Sequence, residues 1–412
     1  MIRKLRFENF CSFGEKVEVD FTTSAKAPED ASLVELSDGT KGSLLTGVFG
    51  PNAAGKTNLL KALSFVSYFL RDSYQMLQPE ELIPVDRFEG ASPDDSTTWF
   101  EVEFEGRCGR FLYGFRLKPD AVLEEVIKRQ DPKTRQFRQL LHRKWSDDRP
   151  PVLRSFEGFT NLTALRGVLS NRPNASLLAA GLQTGQKEYR DIADALGPIL
   201  SNVGRFGKRV HLSHSLSMEL FQSSEFFQKH PEHHDALREL LIAADFGVVD
   251  FKIEPVKIQS DGGSPRESHL VFFIHEGAKG EFVLPANRES SGTQRLFILL
   301  EDIISILNSG GMAIVDEMES DLHPHLIPTI LNLFRDEEIN KHRAQLFFTC
   351  HHMEMLNHLT KEQIYFVEKN DDCVSEAFRL DQIKGVRREE NFFANYNSGR
   401  YGALPEPELV AF

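Results

Sequence analysis

Cysteine is scarce in this sequence, and its four cysteines stand far apart. No two of them form a C-x-x-C pair; they are Cys11, Cys108, Cys350 and Cys373. A disulfide-stapled fold needs many cysteines, and a structural zinc site usually needs closely spaced pairs of them. The sequence therefore argues against both kinds of protein and predicts a chain that works in the reducing cytoplasm.

Long apolar runs and an excess of positive charge are also missing. No run reaches the roughly 18 apolar residues of a membrane span, and the N-terminus has no apolar signal core. Lysine and arginine total 48 and aspartate and glutamate 61, which gives a net charge of −13. This acidity excludes a general nucleic-acid coat, although a local basic patch could still bind DNA. We therefore expect a soluble globular protein without a membrane partner.

Strands and helices alternate near both ends of the chain. Residues 17–21 alternate between apolar and polar side chains, as in a half-buried strand. Residues 296–307 carry apolar side chains at helical spacing. The alternation predicts an α/β sheet, with the middle of the chain inserted as a hairpin and a mainly helical stretch. The predicted segments are 1–117, 118–265 and 266–412.

A glycine-rich motif at 50–57 matches the phosphate-binding pattern G-x-x-x-x-G-K-[ST] and lies between a predicted strand and a predicted helix. The glycines let backbone N–H groups turn toward phosphate oxygens at the positive end of the helix. Lys56 is expected to reach the β and γ phosphates of ATP, and the Thr57 hydroxyl to bind Mg²⁺. The predicted nucleotide-binding residues are Gly50, Pro51, Asn52, Ala53, Ala54, Gly55, Lys56, Thr57 and Asn58.

Two adjacent acids follow a short apolar strand predicted at 312–315. The strand would deliver Asp316 to the metal, while Glu317 would polarise the attacking water. Two acids could also simply end a strand, so the pair is a weak signal by itself. With the glycine-rich motif upstream, it predicts an ATPase.

Three further features accompany these motifs. Ser290 and Gly292 open the long helix before Asp316, where they form either an anion site or an ordinary helix cap. Asp321 follows the acid pair closely, and His351 follows another apolar strand. Together, the motifs resemble the heads of ABC-type ATPases of the RecF, SMC and OLD group.

The resemblance implies a head with a mixed P-loop sheet, flanking helices and an antiparallel β-subdomain. It also implies a catalytic site within one head. Lys56, Glu317 and His351 would be its catalytic residues, and His351 would touch the γ-phosphate. Thr57 and Asp316 would hold the metal ion.

The same resemblance implies that two heads sandwich two ATP molecules. Ser290 and Gly292 of one head would cap the γ-phosphate bound to the other head, and Asp321 would cross between the heads. Two departures from the group stand out. The turn before the long helix reads Glu-Ser-Ser-Gly-Thr instead of Leu-Ser-Gly-Gly-Gln, and residues 70–105 contain no convincing Q-loop glutamine.

The closest resemblance is to compact phage-defence ATPases of the RloA and AbiLi type, with the ATPase of PARIS systems as a cousin. It rests on residues 244–248, on 322–324 (Leu-His-Pro) and on 399–405. It implies a sensor or scaffold of a prokaryotic antiphage, abortive-infection system. Such a protein would control a separately encoded effector, for example a Toprim-like nuclease.

Two alternatives remain open: a RecF-like DNA-repair ATPase and an OLD-type nuclease. The acidic stretch 367–372 superficially resembles the start of a Toprim domain, but the residues that follow are too few for that fold. We interpret the stretch as a solvated turn.

A basic cluster and a set of histidines are two further candidate binding sites. A basic cluster predicts either a DNA surface or the exposed face of a hairpin; it comprises Lys128, Arg129, Lys133, Arg135, Arg138, Arg143 and Lys144. Five histidines lack a recognised metal-ligand spacing and are expected on the surface; they are His211, His214, His230, His233 and His234.

Overall fold

The computed structural model describes residues 1–92, 96–146, 149–156, 162–204, 207–208, 213–244, 247–258, 266–321 and 326–404. Its first strands and helix are β1 (Ile2–Glu8), β2 (Val17–Asp20), β3 (Thr22–Thr23), β4 (Leu33–Glu35), β5 (Lys41–Ser43), β6 (Leu45–Phe49) and α1 (Lys56–Met76). Five longer strands follow: β7 (Thr98–Gly106), β8 (Gly109–Leu117), β9 (Val122–Gln130), β10 (Phe137–Ser146) and β11 (Arg149–Ser155).

The middle of the chain is mainly helical. Its elements are α2 (Leu162–Leu169), α3 (Leu177–Gln183), α4 (Lys187–Leu196), β12 (Ile199–Ser201), β13 (Val203–Gly204), β14 (Gly207–Lys208), α5 (Ser213–Lys229) and α6 (His234–Ala244). A meander and a long helix come next: β15 (Val248–Ile258), β16 (Arg266–Gly277), β17 (Gly280–Pro285) and α7 (Ser291–Ser309). The last elements are β18 (Met312–Val315), α8 (Met318–Asp321), α9 (Ile327–Arg335), β19 (Gln345–Thr349), β20 (Ile364–Lys369), β21 (Ser375–Arg379) and α10 (Phe392–Asn397).

A six-stranded sheet in the order β12-β18-β19-β6-β20-β21 forms the centre of the fold. Its first five strands are parallel, and β21 is antiparallel to β20. Parallel strands bring their carboxyl ends to one edge, where ligand sites of such sheets usually form. The predicted mixed sheet with flanking helices is confirmed. Strand β12, which the sequence pattern did not reveal, extends this sheet beside β18.

The alternation of side chains along these strands divides the interior into two cores. In β6, Val48 packs with α1 and the antiparallel sheet, whereas Leu45 and Phe49 pack with the helices of the other face. Phe347 in β19 faces the first core in the same way. Because both faces are covered, β6, β18 and β19 are buried along their whole length.

The antiparallel sheet, in the order β11-β10-β9-β8-β7-β1-β2, covers the other side of α1. Phe65 and Phe69 of α1 meet Phe100 and Phe115 of this sheet, with ring centroids 5.1 and 4.9 Å apart. Such aromatic contacts account for many of the 33 phenylalanines. They fix α1, and with it the glycine-rich motif, between the two sheets.

Both segment boundaries expected from the sequence fall between paired strands. Strand β8 pairs with β9 across residue 117, and β15 pairs with β16 across residue 265. Each sheet therefore continues across a boundary, and the division into three segments stays a prediction. A bilayer-crossing helix, which needs both length and apolar character, is absent from the described ranges.

One member of the basic cluster is buried, contrary to the sequence interpretation. Arg143 is only 1% exposed, and its guanidinium lies 2.7 Å from the Glu125 carboxylate, which is also buried. Strand alternation is the reason: Arg143 points inward from β10, whereas its neighbour Lys144 is exposed. Arg143 also donates to the Ala175 carbonyl, 2.8 Å away, so it ties the sheet to the helical region.

Replacing Arg143 with alanine is expected to destabilise the protein strongly. The change leaves the Glu125 carboxylate buried without its cation, which typically costs about 3–5 kcal/mol. Denaturant unfolding should show a clearly lower midpoint for Arg143→Ala, and Lys144→Ala should stay near wild type as the matched control. Equal midpoints for the two variants would contradict this account of the buried ion pair.

Candidate functional site

The loop between β6 and α1 has a backbone path that only glycine permits at two positions. Gly50 has a φ of 138°, and a Cβ there would lie 2.1 Å from the Val367 carbonyl oxygen. Gly55 has a φ of 114°, and its Cβ would lie 2.5 Å from the Ser375 hydroxyl. These close approaches fold the loop tightly over the end of β6 and leave its backbone N–H groups available for an anion.

Lys56 lies under this loop and is nearly buried, with 6% of its surface exposed. Its ammonium donates to the carbonyl oxygens of Gly50 and Pro51, at 2.9 and 2.8 Å. Burial lowers the pKa of Lys56, and the carboxylates of Asp316, Glu319 and Glu317 oppose that shift. The ammonium is therefore positioned where phosphate oxygens can replace the loop carbonyls as its partners.

Asp316 emerges from β18 with its carboxylate held on both oxygens. Thr57 donates to Oδ2 at 2.9 Å, and Thr349 donates to Oδ1 at 2.6 Å. The residue is 1% exposed. A threonine hydroxyl beside an aspartate carboxylate is the hard-oxygen donor set that suits Mg²⁺. Thr57 and Asp316 therefore fit the metal site expected from the sequence.

Glu317 has a left-handed backbone, with a φ of 49°. This region is unfavourable for a residue with a side chain and is enriched at functional sites. Two hydrogen bonds hold the conformation: the Glu317 N–H donates to the Thr349 hydroxyl at 2.7 Å, and Ser320 N–H donates to the Glu317 carbonyl at 2.9 Å. The turn directs Glu317 to the wall of the cavity that begins at the glycine-rich loop.

The cavity has a volume of about 630 Å³, which is in the range of small-molecule sites. It is open to the surface at the carboxyl edge of the parallel sheet. The residues that line it are Asn52, Ala53, Gly55, Lys56, Thr57, Asn58, Asp316, Glu317, Thr349 and His351. The structure thus brings together the glycine-rich motif, the acid pair and His351, which come from three distant parts of the sequence.

The remaining nucleotide-binding candidates support the loop from behind. Gly50 and Pro51 supply the carbonyls that hold Lys56, as described above. Ala54 is buried, and its carbonyl accepts from the Ser375 hydroxyl at 2.6 Å. Asn58 donates to the Ser12 hydroxyl at 2.9 Å, so the N-terminal turn also contacts the loop.

Ser290 and Gly292 are not among the described residues that line the cavity. Ser290 caps α7, and its hydroxyl accepts from the Thr293 N–H at 3.1 Å. The preceding Glu289 accepts a 2.7 Å contact from His275, which ties the turn to the β15–β17 meander. The turn that contains Ser290 and Gly292, called the serine turn below, is therefore held in place by hydrogen bonds. It does not line the cavity of its own chain.

Asp321 is the last residue of α8, and its side chain lies outside the described part of the chain, as do residues 322–325. Its expected role between heads stays a prediction. The same holds for the Leu-His-Pro feature at 322–324.

Two residues of the site escaped the sequence interpretation, Thr349 and Asn202. Thr349 bonds both Asp316 and the Glu317 backbone, as described above. Asn202 follows β12 and clamps the backbone of Asp316: its amide donates to the carbonyl at 3.1 Å and accepts from the N–H at 2.8 Å. Thr349 ends β19 and Asn202 directly follows β12, so a polar residue at the carboxyl end of a strand was the one available signal for both.

A sequence profile described as "AAA domain, putative AbiEii toxin, Type IV TA system" matches residues 45–357, the greater part of the chain. The chain belongs to this family. The match spans the glycine-rich loop, the acid pair and His351, and it confirms the predicted relationship to ATPases with abortive-infection relatives. Among curated proteins, none matches the sequence.

Solved structures of SMC heads are similar in fold to this AAA-family chain. One is an SMC head bound to the C-winged helix domain of ScpA, with 15% identity and a TM-score of 0.46 over 92% of this chain and 98% of that chain. The SMC head domain from Thermotoga maritima has 13% identity and a TM-score of 0.39 over 92% and 98%. The Smc head with an extended coiled coil, bound to the C-terminal domain of ScpA derived from Pyrococcus furiosus, has 13% identity and a TM-score of 0.44 over 92% and 97%.

The acidic stretch at 367–372 belongs to a β-hairpin in this AAA-family chain. Strand β20 ends within it and turns into β21, and the Asn370 side chain accepts from Asp372 and Val374 N–H groups in the turn. Glu368 accepts from the Ala403 N–H at 2.9 Å. The interpretation of this stretch as a turn is therefore consistent with its structure.

Of the five histidines, His230 and His233 lie with Glu232 at the corner between α5 and α6. Their ligand atoms all lie within 4.8 Å of one another. The His230 side chain is 44% exposed, as expected for a surface residue, whereas the His233 side chain is only 13% exposed, contrary to the expectation. The cluster lies apart from the cavity, and His211 is outside the described residues.

Replacing Thr349 with valine is expected to impair hydrolysis. Valine has the same shape but no hydroxyl, so Asp316 and the Glu317 N–H each lose a partner. A buried polar group left without its hydrogen bond costs about 1–3 kcal/mol. Loss of about 1.4 kcal/mol from the transition state alone would slow hydrolysis roughly tenfold. Steady-state ATP hydrolysis with Mg²⁺ measures this, and Thr349→Ser should retain most of the activity. A Thr349→Val enzyme as fast as wild type would contradict the role of this hydroxyl.

Proposed function

We propose that the chain binds ATP with Mg²⁺ in the cavity at the end of the parallel sheet and hydrolyses it to ADP and phosphate. The observation that carries the proposal is the convergence of Lys56, the Thr57–Asp316 pair, Glu317 and His351 on one open cavity. Family membership supports it independently. The cavity is wide enough for a nucleotide, and its floor offers backbone N–H groups and an ammonium to the phosphates.

Each of these cavity residues has a separate role in phosphoryl transfer. Lys56 neutralises charge on the β and γ phosphates, and the loop N–H groups hold them in place. Thr57 and Asp316 would hold Mg²⁺, which supplies further charge neutralisation when bound. Glu317 accepts a hydrogen bond from the attacking water and orients it. His351, which also lines the cavity, contacts the γ-phosphate.

We further propose that the site is completed by a second copy of the chain. The serine turn at Ser290 and Gly292 is a formed helix N-terminus that points to no phosphate site described in its own chain. Helix N-termini attract anions because their first N–H groups lack partners within the helix. A second head arranged by two-fold symmetry can offer this turn to the γ-phosphate, and ATP then acts as the link between two copies.

The biological role that fits best is a sensor or scaffold of an antiphage, abortive-infection system. The family description names an AbiEii toxin, and the motifs resemble phage-defence ATPases of the RloA and AbiLi type. ATP-driven pairing of two heads would hold or release a separately encoded effector, for example a Toprim-like nuclease. The hairpin at 367–372 supports a separate effector, because this stretch forms a turn in the sheet of the ATPase itself.

Mixing two inactive variants tests both hydrolysis and the completion of the site by a second copy. Lys56→Ala removes the phosphate ligand, and Ser290→Arg blocks the serine turn, so each variant alone should be inactive. In a mixed dimer, one site combines the intact cavity of one chain with the intact turn of the other. Random pairing should therefore restore roughly a quarter of the wild-type ATPase rate.

The control for this experiment is a mixture of Lys56→Ala with Lys56→Ala,Ser290→Arg, in which no intact site can form. A mixture of the single variants that stays inactive, while wild type hydrolyses ATP, would contradict the shared site. A wild-type protein that neither binds nor hydrolyses ATP would contradict the proposed ATPase.

A further inference from the structure

Glu319 lies beside His351 and has no part in the function proposed above. The Glu319 Oε1 atom is 4.0 Å from the His351 Nε2 atom. The Glu319 side chain is 13% exposed, whereas the His351 side chain is 36% exposed. A nearly buried carboxylate therefore stands behind the imidazole that lines the ATP cavity.

The second oxygen of this carboxylate lacks a hydrogen bond to the described part of the chain. Glu319 Oε2 is buried and makes no hydrogen bond there. Buried polar atoms without partners are rare, because each costs about 1–3 kcal/mol. The presence of a glutamate at this position is therefore not explained by the stability of the fold.

The surroundings of Glu319 direct it toward the end of β19. Met318, which opens α8, is fully buried and anchors the short helix in the core. Cys350, the residue immediately before His351, is buried, and its pKa is raised by that burial and by the nearby Glu319 carboxylate. The carboxylate thus lies close to the segment that carries the histidine, and its charge also helps to keep the pKa of Lys56 from falling further.

We propose that Glu319 is a positioning residue that orients the His351 ring for contact with the γ-phosphate. A carboxylate that accepts a hydrogen bond from one imidazole nitrogen fixes the plane of the ring and decides which nitrogen faces the substrate. The 4.0 Å separation shortens to a hydrogen bond when ATP is bound, as contacts of catalytic groups commonly do in the loaded enzyme. This proposal rests on the ATPase function proposed above.

A double-mutant cycle tests whether Glu319 acts through His351. The expected result is that Glu319→Ala lowers the single-turnover rate of ATP hydrolysis about tenfold in the wild-type background, with little change in ATP affinity. In the His351→Ala background, the same substitution should change the rate less than twofold. Glu319→Gln, which keeps an oxygen at this position, should retain more activity than Glu319→Ala.

The matched control is Glu354→Ala, which removes an exposed acid after the same strand and should hydrolyse ATP like wild type. Equal effects of Glu319→Ala in both backgrounds would overturn the proposal, because a merely structural role is independent of His351. Absence of ATP hydrolysis in wild type would instead mean that the proposed function fails.

A second measurement decides the matter if the His351→Ala rates are too low to compare. Crystal structures of wild type and Glu319→Ala, each with Mg²⁺ and a non-hydrolysable ATP analogue, would show the imidazole directly. The proposal expects a hydrogen bond between Glu319 and His351 in wild type and a rotated or disordered ring in the variant. An unchanged ring in Glu319→Ala would overturn it.

Discussion

The buried carboxylate of Asp316 is the group on which the rest of the site depends. A carboxylate that is 1% exposed is costly unless its oxygens are hydrogen-bonded. Thr57 and Thr349 satisfy one oxygen each, and Asn202 fixes the backbone of the same residue. These three partners come from the helix after the glycine-rich loop and from the strands on either side of β18. Holding the Asp316 charge in place therefore aligns three segments around the glycine-rich loop.

The parallel sheet makes this alignment possible. Four of its strands end at the same edge, and each delivers one component: the loop after β6, Asp316 after β18, His351 after β19 and Asn202 after β12. The phenylalanine-rich contact between α1 and the antiparallel sheet holds the loop and its helix against that edge. The same geometry leaves the cavity open on one side, and the serine turn of α7 lies elsewhere. The open cavity and the separate serine turn are the two features on which the proposal that ATP joins two copies rests.

Motifs that are contiguous in the sequence could be predicted, whereas residues that meet only in the folded chain could not. The glycine-rich loop could be predicted because strand, loop and helix are contiguous, and Asp316 because it ends an apolar strand. Thr349 and Asn202 could not, because their roles depend on strand register. Val315 pairs with Phe348, which places Asp316 beside Thr349, and Ser201 pairs with Ile314. The burial of Arg143 was missed for a similar reason, because charge alone does not indicate which side chains of a strand point into the core.

The central claim is that ATP joins two copies of this chain through the Asp316 site. Light scattering of the purified protein with and without ATP and Mg²⁺ tests it most directly, for wild type and for Glu317→Gln. Loss of the water-orienting carboxylate should slow hydrolysis but leave ATP binding intact. The account predicts a mass that doubles with ATP and stays doubled longest in Glu317→Gln. A mass that remains that of the monomer under every condition would contradict it.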